Sequence, residues 1–354
     1  MVAISGMAVT TAYGRGTRNL WDGLLSGKPE VSLVSRFDTS GRRTQHAATL
    51  PGDPELGEEL STLIEQACTQ ARLSVADRAE TPLVLACRAR PETRKFVQQL
   101  AVECGLRGVV RVHTGACSAS NFAVAHAATM ITTGAERQVV VAAGSLVDVG
   151  AFGAFDSAGI LAPDGIARPF NADRCGPVLG DGAAALVLQA AAARPLAMVS
   201  GWGGAGDAHH VVRPHPQGRG TVLAARAAMR RAAVSSGDIG YVNPHATATP
   251  MFDASEASAL QAIFGEHVLS APVSATKALH GHCLEASGLV ELAVTVLAMR
   301  AGLLPVNAGY REPDDQCRLD LVLGSPRPAQ VRYALTLSAG FGGTCTALVI
   351  EAAR

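Results

Sequence analysis

Short runs of apolar and β-branched residues recur along the chain, at 82–86, 109–112, 138–142, 184–188, 333–337 and 346–350. A continuous apolar run of this length suits a strand covered on both faces. Alanine-rich stretches with helical spacing lie among them, at 122–132, 222–233, 255–264 and 287–301. Strands alternating with helices predict a layered α/β fold. The opening residues, Met1 to Gly6, carry no basic stretch and read as a first strand rather than a signal peptide.

One pattern occurs twice. Leu179-Gly180-Asp181-Gly182-Ala183 runs into the apolar stretch ending at Leu188, and Gly340-Phe341-Gly342-Gly343-Thr344 runs into the one ending at Ile350. Each is a glycine turn feeding a buried strand, and each closes one half of the chain. The reading is two similar halves, 1–190 and 191–354, packed as one five-layered body. The stretch from Arg213 to Gly220 is the loopiest and is expected on the surface.

Composition narrows the function. The chain has 354 residues, 48% of them hydrophobic, with zero formal net charge and a pI near 7.1. No Lys/Arg-rich run is present, which argues against nucleic acid as a partner. No apolar run reaches the length of a membrane span. The eight cysteines include no C-x-x-C pair, which argues against a zinc site. A reducing, cytoplasmic setting follows. Lysine occurs only at Lys28, Lys95 and Lys277, so a lysine inside a glycine-containing motif stands out.

Four segments carry candidate chemistry. In the first, Gly115-Ala116-Cys117-Ser118 joins a strand to a helix, where orphan N–H groups and the helix dipole favour a thiolate. The second, His245-Ala246-Thr247-Ala248-Thr249-Pro250, follows a strand and offers hydroxyls to an amide-rich ligand. Lys277 to His282 forms the third, with Glu291 beyond it; a helix starting near Gly281 would let a Lys277–Glu291 pair orient His282. The fourth, Ser338 to Thr344, has glycines that allow close backbone approach and free N–H groups. Each has an ordinary structural reading as well: a buried thiol, a core histidine, a polar helix turn, a glycine hairpin.

Together and in this order, the segments resemble the β-ketoacyl-acyl-carrier-protein synthase family of the thiolase fold, in its elongating branch with two active-site histidines. The T-A-C-S-type turn is matched at 115–118. H-G-T-x-T-P is matched at 245–250 with Ala246 for glycine, and K-S-x-x-G-H at 277–282 with Ala278 for serine. G-F-G-G-T-N is matched at 340–345 with Cys345 for asparagine. Arg168 to Asn171, Leu179 to Ala183, Gly6 to Thr10 and Phe37 to Ser40 agree too.

The resemblance implies a thiolase-like αβαβα fold and a decarboxylative Claisen condensation. Cys117 would accept the acyl group. His245 and His282 would bind the carbonyl of a malonyl-type thioester, and Lys277 and Glu291 would hold His282. Backbone N–H groups of Cys117 and Phe341 would form the oxyanion hole, with Phe341 and Gly342 in the gate segment. Thr247 and Thr249 would bind the pantetheine arm. The implied partners are an acyl carrier protein, acyl and malonyl-type thioesters, and a second copy or a related subunit. No cofactor is implied beyond the phosphopantetheine of the carrier. His280 has the wrong spacing from Lys277 and is expected in the pocket wall or core.

Some positions depart from the family. Cys175 and Pro177 stand where the A-D-G-F-type segment has aspartate and phenylalanine, and Phe252 replaces a glycine. The chain is short between Arg88 and the strand before Cys117. That shortening is expected to leave an exposed apolar patch of roughly several hundred Å² around residues 88–97 and to open the acyl pocket. The departures point to specialised metabolism. Three alternatives share the resemblance: a thiolase using Cys345 as second cysteine, an ester- or amide-forming acyltransferase, and a non-catalytic partner subunit.

Overall fold

The computed structural model describes residues 1–89, 91–106 and 111–353. One mixed sheet organises them. Its strands are β1 (Val2–Thr11), β2 (Leu83–Ala86), β3 (Arg111–His113), β4 (Gln138–Ser145), β5 (Gly182–Gln189), β6 (Ala197–Gly206), β7 (Ile239–Asn243), β8 (Tyr333–Gly340) and β9 (Thr344–Ala352). The hydrogen-bonded order is β7-β8-β9-β6-β1-β5-β4-β2-β3, with Gly14–Arg15 added to β1.

The order reads the same outward from its centre. β1 pairs with β5 and β6 with β9, both antiparallel. β5 then pairs antiparallel with β4, as β9 does with β8. Parallel pairs follow, β4 with β2 and β8 with β7. The repeated glycine-turn segments therefore end in β5 and β9, which hold equivalent places. The chain passes from the first set to the second between Gln189 and Ala197.

Helix composition sorts the helices into layers. In α1 (Leu56–Gln70) the buried positions are Leu60, Leu63, Ile64, Ala67 and Cys68, a single apolar stripe. In α5 (Arg219–Ala232) they are Thr221, Ala224, Ala225, Ala228 and Met229. These two one-sided helices are labelled here with α2 (Thr93–Glu103), α3 (Ala119–Thr132), α4 (Val149–Ser157), α6 (Pro250–Phe264) and α7 (Ser287–Ala301). By contrast, α3 and α7 are apolar nearly all round, so they can only be covered on every side. They fill the space between the two halves of the sheet: α7 touches both β5 and β8, and α3 both β4 and β9.

The sheet itself is buried on both faces. Along β4, Val139, Val141 and Ala143 join the central cluster, while Val140 and Ala142 face α1. Along β9, Leu348 and Ile350 face the centre, and Ala347 and Val349 face α5 and α6. Alternation between two apolar environments explains why the sequence shows unbroken apolar runs. The result is the five-layered αβαβα arrangement of the thiolase fold.

Three expectations need amendment. Of the strand expected at 109–112, Val109 and Val110 lie outside the described residues, and the described strand is Arg111–His113. The helix expected to start near Gly281 starts at Ser287; Lys277–His280 is a separate single turn. The apolar patch expected around 88–97 is absent among the described residues there: Glu92, Arg94 and Lys95 face outward, and Val97 is buried. The shortened connection closes with a charged helix surface instead.

Candidate active site

Cys117 sits in a tight turn, Ala116–Ser118, that leads into α3. Ala116 has φ +49°, a backbone region disfavoured for residues with a Cβ. The turn is fixed from both sides. Ser118 Oγ donates to the Gly115 carbonyl at 2.8 Å, and Ser338 Oγ on β8 donates to the Cys117 carbonyl at 2.7 Å. The nucleophile candidate is thereby pinned between the two halves.

His282 faces it. The ring Nε2 is 3.1 Å from Cys117 Sγ, and Nδ1 is 2.9 Å from Ser287 Oγ. The main chain is clamped as well, with the N–H donating to Val178 O at 2.7 Å and the carbonyl accepting from Gly180 N at 3.0 Å. A tautomer protonated on Nδ1 donates to Ser287 and leaves Nε2 to accept from the thiol.

His245 lies beside it, with ring centroids 5.6 Å apart at 79°. Its backbone is held by two buried charged side chains, Glu256 and Lys277. Glu256 accepts from the N–H groups of His245 and Ala246, both at 2.7 Å. Lys277 Nζ donates to the His245 carbonyl at 2.5 Å and pairs with Glu291. Lys277 and Glu291 therefore brace His245, and Ser287 is what touches the ring of His282. This corrects the expectation that the lysine–glutamate pair orients His282. Ala246 and Ala248 have φ +30° and +58°, so the loop is strained, at Ala246 where the family motif carries glycine.

The protonation states follow from burial. Burial, then the Glu285 carboxylate, push the Cys117 thiol up to about 12. This upward push opposes the lowering expected from the helix N-terminus. Burial, followed by the charge of Lys277, holds His245 and His282 well below the usual histidine value. The resting site is a neutral thiol against a neutral imidazole, a pair in which the proton moves only as a bond forms.

A cavity of about 430 Å³ contains these groups. Cys117, His245, His282, Thr247, Thr249 and Phe341 all line it. The hydroxyls of Thr247 and Thr249 are 3.1 Å apart. Rings form a stair along one wall: His245 to Phe252 at 6.2 Å, Phe252 to Phe341 at 6.1 Å, and Phe341 stacked on Phe155 of α4 at 6.0 Å. Gly342 does not contribute a free N–H, because that group donates to Val211 O at 2.7 Å. The bond ties the loop after β6 to the gate segment, and Val212 and Arg213 of that loop line the cavity. The loop expected on the surface thus forms part of the mouth.

Two other residues are placed away from this centre. His280 is fully buried, 3.2 Å from Thr276 Oγ1, and does not line the cavity. Nor does Cys345, which packs with the cluster under α5 and α6. That position gives no support to a second reactive cysteine opposite Cys117. Sequence reasoning placed Ser287 and Ser338 inside the candidate segments but gave neither a role; their contacts to the His282 ring and the Cys117 carbonyl appear only in the structure.

Comparison with known proteins identifies the family and the fold. Residues 96–193 match the β-ketoacyl synthase N-terminal domain, and residues 196–311 match its C-terminal domain. The 3-oxoacyl-[acyl-carrier-protein] synthase 2 of Vibrio cholerae is 30% identical over 414 aligned positions, covering 99% of this chain and 98% of that protein. Subtracting 354 residues from 414 positions leaves at least 60 that this chain skips. Nodulation protein E of Rhizobium meliloti is 36% identical over 289 residues, 79% of this chain and 70% of that protein. Among solved structures, the ishigamide ketosynthase/chain length factor superposes with a TM-score of 0.90 at 24% identity, covering 100% of this chain and 99% of that one. A type II polyketide ketosynthase solved with its acyl-carrier protein gives 0.91 at 20% identity, with the same coverage.

Proposed function

The chain belongs to the β-ketoacyl synthase family, and from that premise we propose that Cys117, His245 and His282 carry out its condensation chemistry. The activity is condensation in fatty-acid or polyketide synthesis. The observation that carries the residue assignment is the 3.1 Å contact between Cys117 Sγ and His282 Nε2 at the floor of the cavity.

The reaction begins with an acyl thioester delivered by an acyl carrier protein. Its pantetheine arm passes Phe341 and bonds the hydroxyls of Thr247 and Thr249. Cys117 Sγ attacks the acyl carbonyl as its proton moves to His282 Nε2. The proton then leaves with the departing carrier thiol. Backbone N–H groups of Cys117 and Phe341 stabilise the tetrahedral oxyanion.

A malonyl-type thioester enters next. Its carbonyl oxygen accepts hydrogen bonds from His245 and His282, which lowers the energy of the enolate formed as carbon dioxide departs. The enolate carbon attacks the acyl–Cys117 carbonyl, and the Cys117 thiolate leaves and takes up one proton from solvent, the proton that the decarboxylation of a malonyl carboxylate consumes overall. For His282 this step uses the other tautomer, with Nε2 protonated and Nδ1 accepting from the Ser287 hydroxyl; each neutral imidazole then donates one hydrogen bond without charge repulsion from Lys277.

The protein works in the cytoplasm with a second subunit, and a homodimer is the form proposed. Support for the carrier partner comes from the solved ketosynthase–carrier complex of the same fold. Incubation with acyl- and malonyl-carrier thioesters should give a β-ketoacyl product two carbons longer and one equivalent of carbon dioxide. Carbon dioxide release without a longer product, at every acyl donor tried, would refute the proposal.

A further inference from the structure

The two histidines of the site are secured in different ways. His282 has Ser287 Oγ at 2.9 Å from Nδ1. His245 Nδ1 is buried and has no hydrogen-bond partner. A buried N–H group without a partner is rarer than a bare acceptor, so the ring proton belongs on Nε2. The main chain of His245 is clamped at its N–H and at its carbonyl, but these bonds leave the ring free to turn. The terminal torsion of a histidine has only a broad, two-fold preference. With no hydrogen bond on Nδ1, packing has to set the angle of the ring.

Phe252 supplies that packing. Its ring lies 6.2 Å from the His245 ring at 67°, an edge-to-face arrangement of the kind that attracts. Phe252 is half-buried and lines the same cavity as His245. The start of α6 fixes its place. The Pro250 carbonyl accepts from Arg174 at 3.1 Å, and the buried Asp253 accepts from Phe170 N at 2.8 Å. A second ring, that of Phe341, meets Phe252 at 6.1 Å. Glu256 follows Phe252 by four residues, on the same helix face, and it is the group that clamps the His245 N–H. One face of α6 thus holds the backbone of His245 with a carboxylate and its ring with a phenyl group.

We propose that Phe252 is the positioning residue of His245: the edge-to-face contact sets the imidazole at the angle from which Nε2 donates to the carbonyl of the malonyl-type thioester. Phe252 touches no reacting atom in this role and acts through His245. The inference rests on His245 serving the condensation step, and it names what prepares that residue. Glycine, the family's residue at this position, has no ring to offer, so the contact is a feature of this chain. An aromatic pair of this geometry is worth roughly 2- to 10-fold in a rate constant.

The test separates loading from condensation on the full chain. Intact mass follows loading from an acyl-carrier thioester. Carbon dioxide release and product formation follow condensation of the loaded protein with malonyl-carrier thioester. Phe252→Leu keeps the bulk and removes the ring. It should load at the wild-type rate, and its condensation kcat should fall about 3- to 10-fold with KM little changed. Phe252→Tyr keeps the ring and should restore kcat. A normal loading rate shows that each variant is folded; if Phe252→Leu does not fold, Phe252→Met makes the same comparison. Equal slowing of loading and condensation would mean that the ring acts through the gate at Phe341, and it overturns the inference. So does an unchanged kcat, with or without a raised KM, and so does a lowered kcat that Phe252→Tyr fails to restore. Wild type that loads but never condenses overturns the proposed function itself.

Discussion

The ammonium of Lys277 bonds the main-chain oxygen of His245, 32 residues earlier in the chain, at 2.5 Å. It also pairs with Glu291 in a site where both side chains are almost fully buried. Glu291 is pushed up to about 7, chiefly by burial, so it keeps its charge only through the lysine. Lys277→Met leaves a buried acid alone and should destabilise the protein by about 3–5 kcal/mol. Lys277→Met with Glu291→Leu should recover most of that stability but not the activity. Urea unfolding of the single and double variants measures both; equal stability of the single variant and wild type would contradict the brace.

Ser287 is a positioning residue for His282. Ser287→Ala removes the partner of Nδ1 and frees the ring tautomer. Loading of Cys117 should slow by about tenfold, and Ser287→Thr should restore most of the rate. A rate change without rescue by threonine would point to packing alone.

Strain in the His245 loop predicts a stabilising change. Ala246 at φ +30° incurs about 1–2 kcal/mol that glycine avoids. Glycine returns roughly 0.5–1 kcal/mol of that through the entropy of the unfolded chain. Ala246→Gly should therefore gain about 0.5–1 kcal/mol in a denaturant titration. A loss of stability would show that the alanine methyl packs usefully.

The buried histidines should make the protein sensitive to acid. His280 is lowered to about 3, first by burial and then by the charge of Lys277. A histidine lowered in the folded state contributes stability above its unfolded value, near 6.5, and that contribution is lost as pH falls toward 3. His280→Gln should retain most condensing activity and shallow the decline in stability between pH 6.5 and 3. Circular dichroism followed across that range gives the slope; an unchanged slope would mean that His280 is not held neutral.

How far the sequence foretold this arrangement depends on the type of residue. The span of α7, 287–301, was legible because a helix apolar on every side has no other place than a core. The helix expected at 255–264 starts earlier, at Pro250, and the proline at its first position is the start signal that the apolar pattern alone passed over. β6 was missed: Gly201 and Gly203 thin its apolar signal, and a Cβ at either would meet the backbone of α5. Cys117, His245 and His282 stood out only through motif order, since each alone resembles a core residue. The upward push on the Cys117 thiol and the Ser287 contact were not legible. They arise where segments far apart in sequence meet, as Cys117 and His282 do across 165 residues.

Intact-mass analysis after acyl loading tests the central assignment most directly. Wild type incubated with an acyl-carrier thioester should gain one acyl mass, located by peptide mapping at Cys117. His245→Ala should load at close to the wild-type rate and then fail to release the acyl group when malonyl-carrier thioester is added. His282→Ala should load slowly, because the 3.1 Å contact places its ring on the attacking sulfur, and should also fail to condense. Cys175 provides the internal control, since it lines the same cavity. An acyl group mapped to Cys175 with Cys117 unmodified would contradict the account.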